Sequence, residues 1–449
     1  MKRRDFLRHG AAAFAGATPL ARALALAAEP PADYTIRIAP LHLEIAPKTF
    51  VRTTAFNGRV PGDLIRVPEG KQVTLDVVNE TDVSDIVHWH GLHIPSVQDG
   101  ATEEGSPESA PHGGTQRYTW KAEPAGCRWY HSHTSAGHNL ARATYSGEFG
   151  FLMIDPRSNP ARYDQEIFLA LHDWDGHAQG GAEGYQEVIY SHATINDRML
   201  GHGTPIRVKL NQRVIFRIVN ASATVTHWLA LAGHEMTVVA MDGNPVPNPI
   251  NVTALRLAPA ERADVVVEMK NPGVWTLGET RDDIRKAGMG IVIEYAAQQG
   301  EPKWINPPEV LWEYRPFAHQ EAAAIQPDHQ IPLLFESKFR GHGDFDYWTI
   351  NGKSYPKTDT VMLQEGKRYR LAMRNKSADD HPIHLHRHTF EVTSLDGKSM
   401  SGLRKDVVVV TANSTAEVDF VAANPGATLF HCHQQSHMDF GFMMLFRYS

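Results

Sequence analysis

The run Asn57-Gly58 … Glu69-Gly70-Lys71 … Val77-Val78-Asn79 returns as Asn196-Asp197 … Leu210-Asn211-Gln212 … Ile218-Val219-Asn220, and again as Asn351-Gly352 … Glu365-Gly366-Lys367 … Met373-Arg374-Asn375. The first and last asparagine of each run lie 22, 24 and 24 residues apart, and the residues between them alternate as extended chain does. Farther on, Pro124-Ala125-Gly126, Pro272-Gly273 and Pro425-Gly426 each introduce one more strand. Short Val, Ile, Thr and aromatic runs punctuated by Gly, Pro and Asn read as strands of β-sandwiches. A unit repeated three times predicts an all-β chain of three consecutive sandwiches, at 28–156, 157–300 and 301–449. The Pro-rich stretch from Glu301 to Pro332 reads as a crossing linker, with a brief helical turn at 319–325.

The repeat also organises the histidines, of which there are 25. His88 and His384 each lie nine residues after Asn79 and Asn375, and His90 and His386 lie eleven after. His131 and His431 follow Gly126 and Gly426 by five, His133 and His433 by seven. Copies one and three therefore each carry two His-x-His pairs, whereas the middle copy has Gly278 and Thr280 at matching places. Residues i and i+2 of a strand share a face, so each pair can aim two imidazoles at one point. Eight imidazoles are too many for one zinc ion and suit copper. Copy three adds Cys432, where copy one has Ser132; His437 five residues on, where copy one has Gly137; and His381, which matches Asp85. One thiolate with two imidazoles is the ligand set of a blue-copper site. Cys127 has no ligand partners in phase and reads as a small buried hydrophobe, and His112, His177, His202, His319, His329 and His342 read as structural or surface residues.

Bulk properties narrow the class. A length of 449 residues accommodates about three domains. A net charge of -7 and a pI near 6.4 give no footprint for nucleic acid or an anionic membrane. Two cysteines make no disulfide framework. Residues 1–27 read as a targeting segment: Arg3-Arg4-Asp5-Phe6-Leu7-Arg8 resembles a twin-arginine export signal, an Ala/Leu-rich stretch follows, and Ala25-Leu26-Ala27 offers a cleavage site. The twin-arginine machinery is then an expected partner, and the mature protein is expected in the periplasm of a Gram-negative host, with no membrane span.

With His88-Trp89-His90-Gly91, Trp129-Tyr130-His131-Ser132-His133, His381-Pro382-Ile383-His384-Leu385-His386 and His431-Cys432-His433 with His437 in order, the chain resembles the three-domain multicopper oxidases, which include laccases, bilirubin oxidases and cuprous oxidases. The resemblance implies cupredoxin-like Greek-key sandwiches and four copper ions. By motif, His381, Cys432 and His437 would bind the type 1 copper, and His88 and His384 the type 2 copper. His90, His131 and His433 would hold one type 3 copper, and His133, His386 and His431 the other. The implied activity is oxidation of a donor at type 1 copper, coupled through His431-Cys432-His433 to reduction of dioxygen to water. The donor is expected to be phenolic or otherwise organic, with a cuprous, ferrous or manganous ion as the alternative. Copper-free members that act in cell division are disfavoured by the retention of ten histidines and the cysteine.

Two departures and two acids complete the reading. Ten residues after Cys432, where many bacterial relatives place an axial Met, stands Phe442; Met443 could replace it only through a bulge. No Met-rich insert is present. Asp99 is expected either to relay protons to bound oxygen or simply to shape a turn with Gly100. Asp439 is expected at the type 1 rim, facing a substrate or solvent.

Overall fold

The computed structural model describes residues 30–158, 163–180, 186–309, 311–319 and 325–449. The twin-arginine segment lies outside the described residues. The fold is nearly all β, 52% strand and 5% helix. In the first sandwich, a sheet of Thr49–Phe56, Tyr34–Ala46, Gln72–Asn79 and Gly114–Lys121 packs on a sheet of Gly62–Pro68, Phe149–Asp155, Gly126–Ser132 and Val87–His90. The middle and last copies repeat this two-sheet plan with more strands. One apolar core runs from the middle sandwich into the last. A second core joins Trp129, Trp174, Val219 and Val407, one or more from each sandwich.

The repeated asparagines have the same physical task in each copy. Asn57, Asn196 and Asn351 adopt φ of 52°, 58° and 51°, a left-handed turn that Asn tolerates. Their Oδ1 atoms accept from the amides of Arg37, Ala170 and Leu334. Asn79, Asn220 and Asn375 are fully buried. Asn79 donates Nδ2 to the carbonyls of Val83 and Ser109, Asn220 to those of Val225 and Leu257, and Asn375 to those of Asp379, Thr411 and Val410. Each thereby fixes the loop that leads into the next strand, Val87–His90, His227–Leu231 or His381–Leu385.

Sheet register sets the correspondence between copies. Val87 pairs Ser132, Leu229 pairs Glu279, and Ile383 pairs Cys432. One step along, His88 pairs His131, Ala230 pairs Gly278, and His384 pairs His431. Two residues before the first pair stand Asp85, His227 and His381.

The linker differs from expectation at its end. Pro332 already belongs to the strand His329–Lys338, because the neighbouring strand Tyr347–Ile350 pairs only with Phe335–Lys338 and leaves Pro332 on an open edge. Of the turn expected at 319–325, residues 320–324 lie outside the described residues, and His319 is bridged in extended form to Ser401. Among the described residues of the linker, a 3-10 turn stands at Arg315–Phe317, with Pro316 at its second position.

Candidate metal centre

The strands Val87–His90 and Gly126–Ser132 of the first sandwich meet His381–Leu385 and Thr428–Cys432 of the last, and bring the four His-x-His pairs together. His88 stacks on His386 at 4.0 Å between ring centroids, and His90 on His384 at 3.8 Å. His90, His131 and His433 lie 5.1 to 5.6 Å apart by ring centroid. The ligand nitrogens of His133, His386 and His431 lie within 4.8 Å of one another. His88 and His384 are 5.7 Å apart by ring centroid.

Six of the eight rings are held through one nitrogen by a carbonyl or a carboxylate. His88 and His384 donate Nδ1 to the carbonyls of Asp99 and Asp406, at 2.8 and 2.7 Å. His131 and His431 donate Nδ1 to the carbonyls of Ser132 and Cys432, both at 2.9 Å. The Nε2 atoms of His88, His133, His384 and His433 are buried with no partner among the described residues. Unpaired buried nitrogens are costly in a metal-free core and are what a metal site requires. Burial, and then the neighbouring imidazoles, push His90, His131, His386, His431 and His433 well below the ordinary imidazole range, which keeps the rings neutral and able to ligate.

Two aspartates are exchanged between the domains. The Asp99 carboxylate accepts from Nδ1 of His386 at 2.7 Å, and Asp406 accepts from Nε2 of His90 at 3.1 Å. Each backbone thus holds a histidine of its own sandwich while each side chain holds one of the other. Asp406 also receives both arms of Arg262, at 2.5 and 2.6 Å, and Arg128 at 3.3 Å. Although burial opposes ionisation, Arg262 holds its carboxyl down to about 2. Beside Asp99 lies Glu104, whose carboxylate accepts from the Leu429 amide at 2.6 Å; burial and then Asp99 push its carboxyl well up. Asp406, Arg262, Arg128 and Glu104 are not visible in the sequence pattern.

Cys432, His381 and His437 form a buried triangle. Cys432 Sγ is 3.8 Å from Nδ1 of His381 and 3.5 Å from Nδ1 of His437, and the two nitrogens are 3.1 Å apart. An ion at ordinary metal–nitrogen and metal–sulfur distances, about 2.0–2.3 Å, spans those edges. Burial pushes the Cys432 thiol up, so binding must displace its proton. The Phe442 ring packs against His381 at 4.8 Å, and Met443 instead pairs with His431. Cys127 is buried and free, among apolar side chains.

A cavity of about 330 Å³ opens beside His437, lined by Glu187, Val225, Trp348, Asp379 and Ser436 among others. Asp439 is not at its rim. It is turned into the domain interface, accepting from Ser135 Oγ and the amides of Ala136 and Gly137, because the short helix Gln435–Asp439 points its C-terminal end at the first sandwich.

These sandwiches and this histidine cluster define a copper-dependent oxidoreductase. The chain belongs to the multicopper oxidase family: family models described as "Multicopper oxidase" match residues 38–159, 166–293 and 326–449. It is similar to multicopper oxidase MmcO of Mycobacterium tuberculosis, 29% identical over 86% of this chain and 81% of that one. It is also similar to Laccase-1 of Melanocarpus albomyces, 27% identical over 86% and 73%. In fold it superposes on Fet3p, a multicopper oxidase that functions in iron import, with a TM-score of 0.80, 21% identity, and coverage of 93% and 90%.

Proposed function

We propose that the chain is a blue oxidase that takes single electrons from a reducing donor beside His437 and delivers four to dioxygen, forming water. His381, Cys432 and His437 would hold a type 1 copper. His88 and His384 would hold a type 2 copper, and His90, His131, His433 with His133, His386, His431 a type 3 pair. When bound, copper supplies the one-electron redox steps and the store of four electrons. The chain supplies the geometry: His431 and His433 are bonded neighbours of Cys432, so one covalent path joins the donor site to the oxygen site. The observation that carries the reading is the four buried, unpartnered Nε2 atoms converging across two sandwiches. Asp99, between His88 and His386 and beside Glu104, is assigned the proton relay. The domain limits 28–156, 157–300 and 301–449, and export to the periplasm by the twin-arginine route, belong to the same reading.

The donor is assigned as phenolic or a related organic molecule, because the cavity has room for a substituted aromatic ring and is lined by Trp348 and Phe345. A second reading, a metal ion, is favoured by three carboxylates that line the same cavity, Glu187, Asp346 and Asp379. Oxygen uptake by copper-loaded protein with 2,6-dimethoxyphenol against Cu(I) decides between them by the larger kcat/KM. Cys432→Ser tests the whole: the visible thiolate band and turnover should vanish while the copper among the eight histidines stays bound. A variant that stays blue overturns the assignment.

A further inference from the structure

The middle sandwich, which lacks the histidine pairs, keeps the outline of the type 1 site. Glu279 stands at the register position of Cys432, His227 at that of His381, Ile284 at that of His437 and Met289 at that of Phe442. The backbone repeats too: Glu279 N donates to Met289 O at 3.1 Å as Cys432 N does to Phe442 O at 3.1 Å. Met289 N donates to Ile284 O as Phe442 N does to His437 O. Even the hydroxyl on the histidine recurs, with Ser222 Oγ 3.0 Å from Nε2 of His227 and Ser377 Oγ 2.8 Å from Nε2 of His381.

At the position of the metal is an ion cluster. His227, with no exposure, gives Nδ1 to Glu279 at 3.0 Å and Nε2 to Asp173 at 2.9 Å. Burial opposes its charge, but Asp173 and Glu279 hold the ring protonated, to about 9. With both ring nitrogens engaged, the histidine has no lone pair for a metal.

The cluster grips one short segment at several points. Ser222 Oγ donates to Asp173 at 2.5 Å, the Trp228 amide donates to Glu279 at 3.0 Å, and Arg281 bridges Glu279 to the Thr226 carbonyl at 3.0 and 2.6 Å. Between those points Thr224 and Val225 line the cavity beside His437, as do Ala378 and Asp379 of the last sandwich. Ala378 and Asp379 lie on the equivalent segment between Ser377 and His381. The Ala223 carbonyl accepts from the Gln435 amide, which seats the segment on the helix that carries His437.

We propose that the Asp173–His227–Glu279 cluster is the metal-free counterpart of the type 1 copper, and that it positions the Thr224–Val225 wall of the donor cavity. One wall of the cavity is then set by the copper ligands and the other by a fixed imidazolium, so these residues govern donor binding without touching the donor. The inference rests on the donor-cavity reading above.

The test uses copper-loaded full-length protein and 2,6-dimethoxyphenol. Glu279→Gln should raise KM about fivefold with kcat, copper content and the blue band unchanged, the signature of lost ground-state positioning. Arg281→Gln alters an exposed side chain and removes the bridge from Glu279 to Thr226 while leaving the His227 contacts to Asp173 and Glu279 in place, so it decides the matter if Glu279→Gln does not fold; its KM should rise in the same direction. Val225→Trp, which fills the cavity, is the control. If it leaves KM unchanged, the donor binds elsewhere and the cavity reading fails. If it raises KM while Arg281→Gln and any folded Glu279→Gln leave KM alone, the cavity stands and the positioning proposal is overturned.

Discussion

A thioether donates electron density to an oxidised His₂Cys copper and a phenyl ring does not, so one side chain can set how strong an oxidant the site is. Under the proposed ligand assignment Phe442 would have that place: its ring is buried against His381, Phe335 and Trp348. Met443 pairs with His431, the residue before Cys432, and so belongs to the neighbouring position of the ladder. Phe442→Met should therefore lower the type 1 potential, each ~59 mV being a tenfold change in the one-electron equilibrium. Redox titration of the blue band checks it, and an unchanged potential means that the ring does not adjoin the copper. Phe442 was legible by counting ten residues from Cys432. Asp406 was not: Asp99 lies eleven residues after His88, but Asp406 lies 22 after His384, since the strands Phe390–Leu395, Lys398–Ser399 and Arg404–Lys405 intervene. The repeat alignment loses register there, and a carboxylate whose partners Arg262 and Arg128 come from other sandwiches leaves no local pattern.

At the scale of elements, the site is two crossed pairs of strands that trade an aspartate each. Because Asp99 and Asp406 hold both a carbonyl contact at home and a carboxylate contact across the interface, the pairs cannot shift without breaking both. Asp406 is tied to two arginines, while Asp99 sits beside Glu104, whose carboxyl burial and Asp99 push well up. The two acids thus differ in surroundings, one fixed by arginines and one beside a second carboxyl. Asp99→Asn keeps an acceptor for His386 but cannot carry a proton. Reoxidation of the reduced protein by dioxygen should slow by about 10²-fold or more, with reduction of the type 1 centre by donor unchanged. Stopped-flow traces of the two half-reactions separate these, and equal slowing of both would leave Asp99 only a holding role.

Across the whole molecule, the repeat made three sandwiches legible because its asparagines do identical work in each, and it located the eight histidines because paired strands preserve spacing. The fate of the middle copy was hidden, since His227, Asp173 and Glu279 are 54 and 52 residues apart along the chain and match no metal motif. Their cluster makes a pH prediction for the whole chain. His227 has its folded pKa raised to about 9 from an ordinary 6.5, burial being outweighed by Asp173 and Glu279. A raised pKa stabilises fully below pH 6.5, and the contribution fades as pH climbs through 9. Glu279 runs the other way, held down to about 2 by His227 and Arg281 against burial, so its contribution is complete above pH 4.5 and lost towards 2. Between pH 4.5 and 6.5 both are present. At 1.36 kcal/mol per unit, the histidine contribution is on the order of 3 kcal/mol there. His227→Gln should lower the Tm most in that window, and the gap from the parent should narrow steadily from pH 6.5 to 9. Thermal unfolding of both proteins across pH 5 to 9.5 provides the comparison. A gap that stays constant, or widens with pH, would mean that His227 is neutral in the folded chain and that no imidazolium takes the place of a metal.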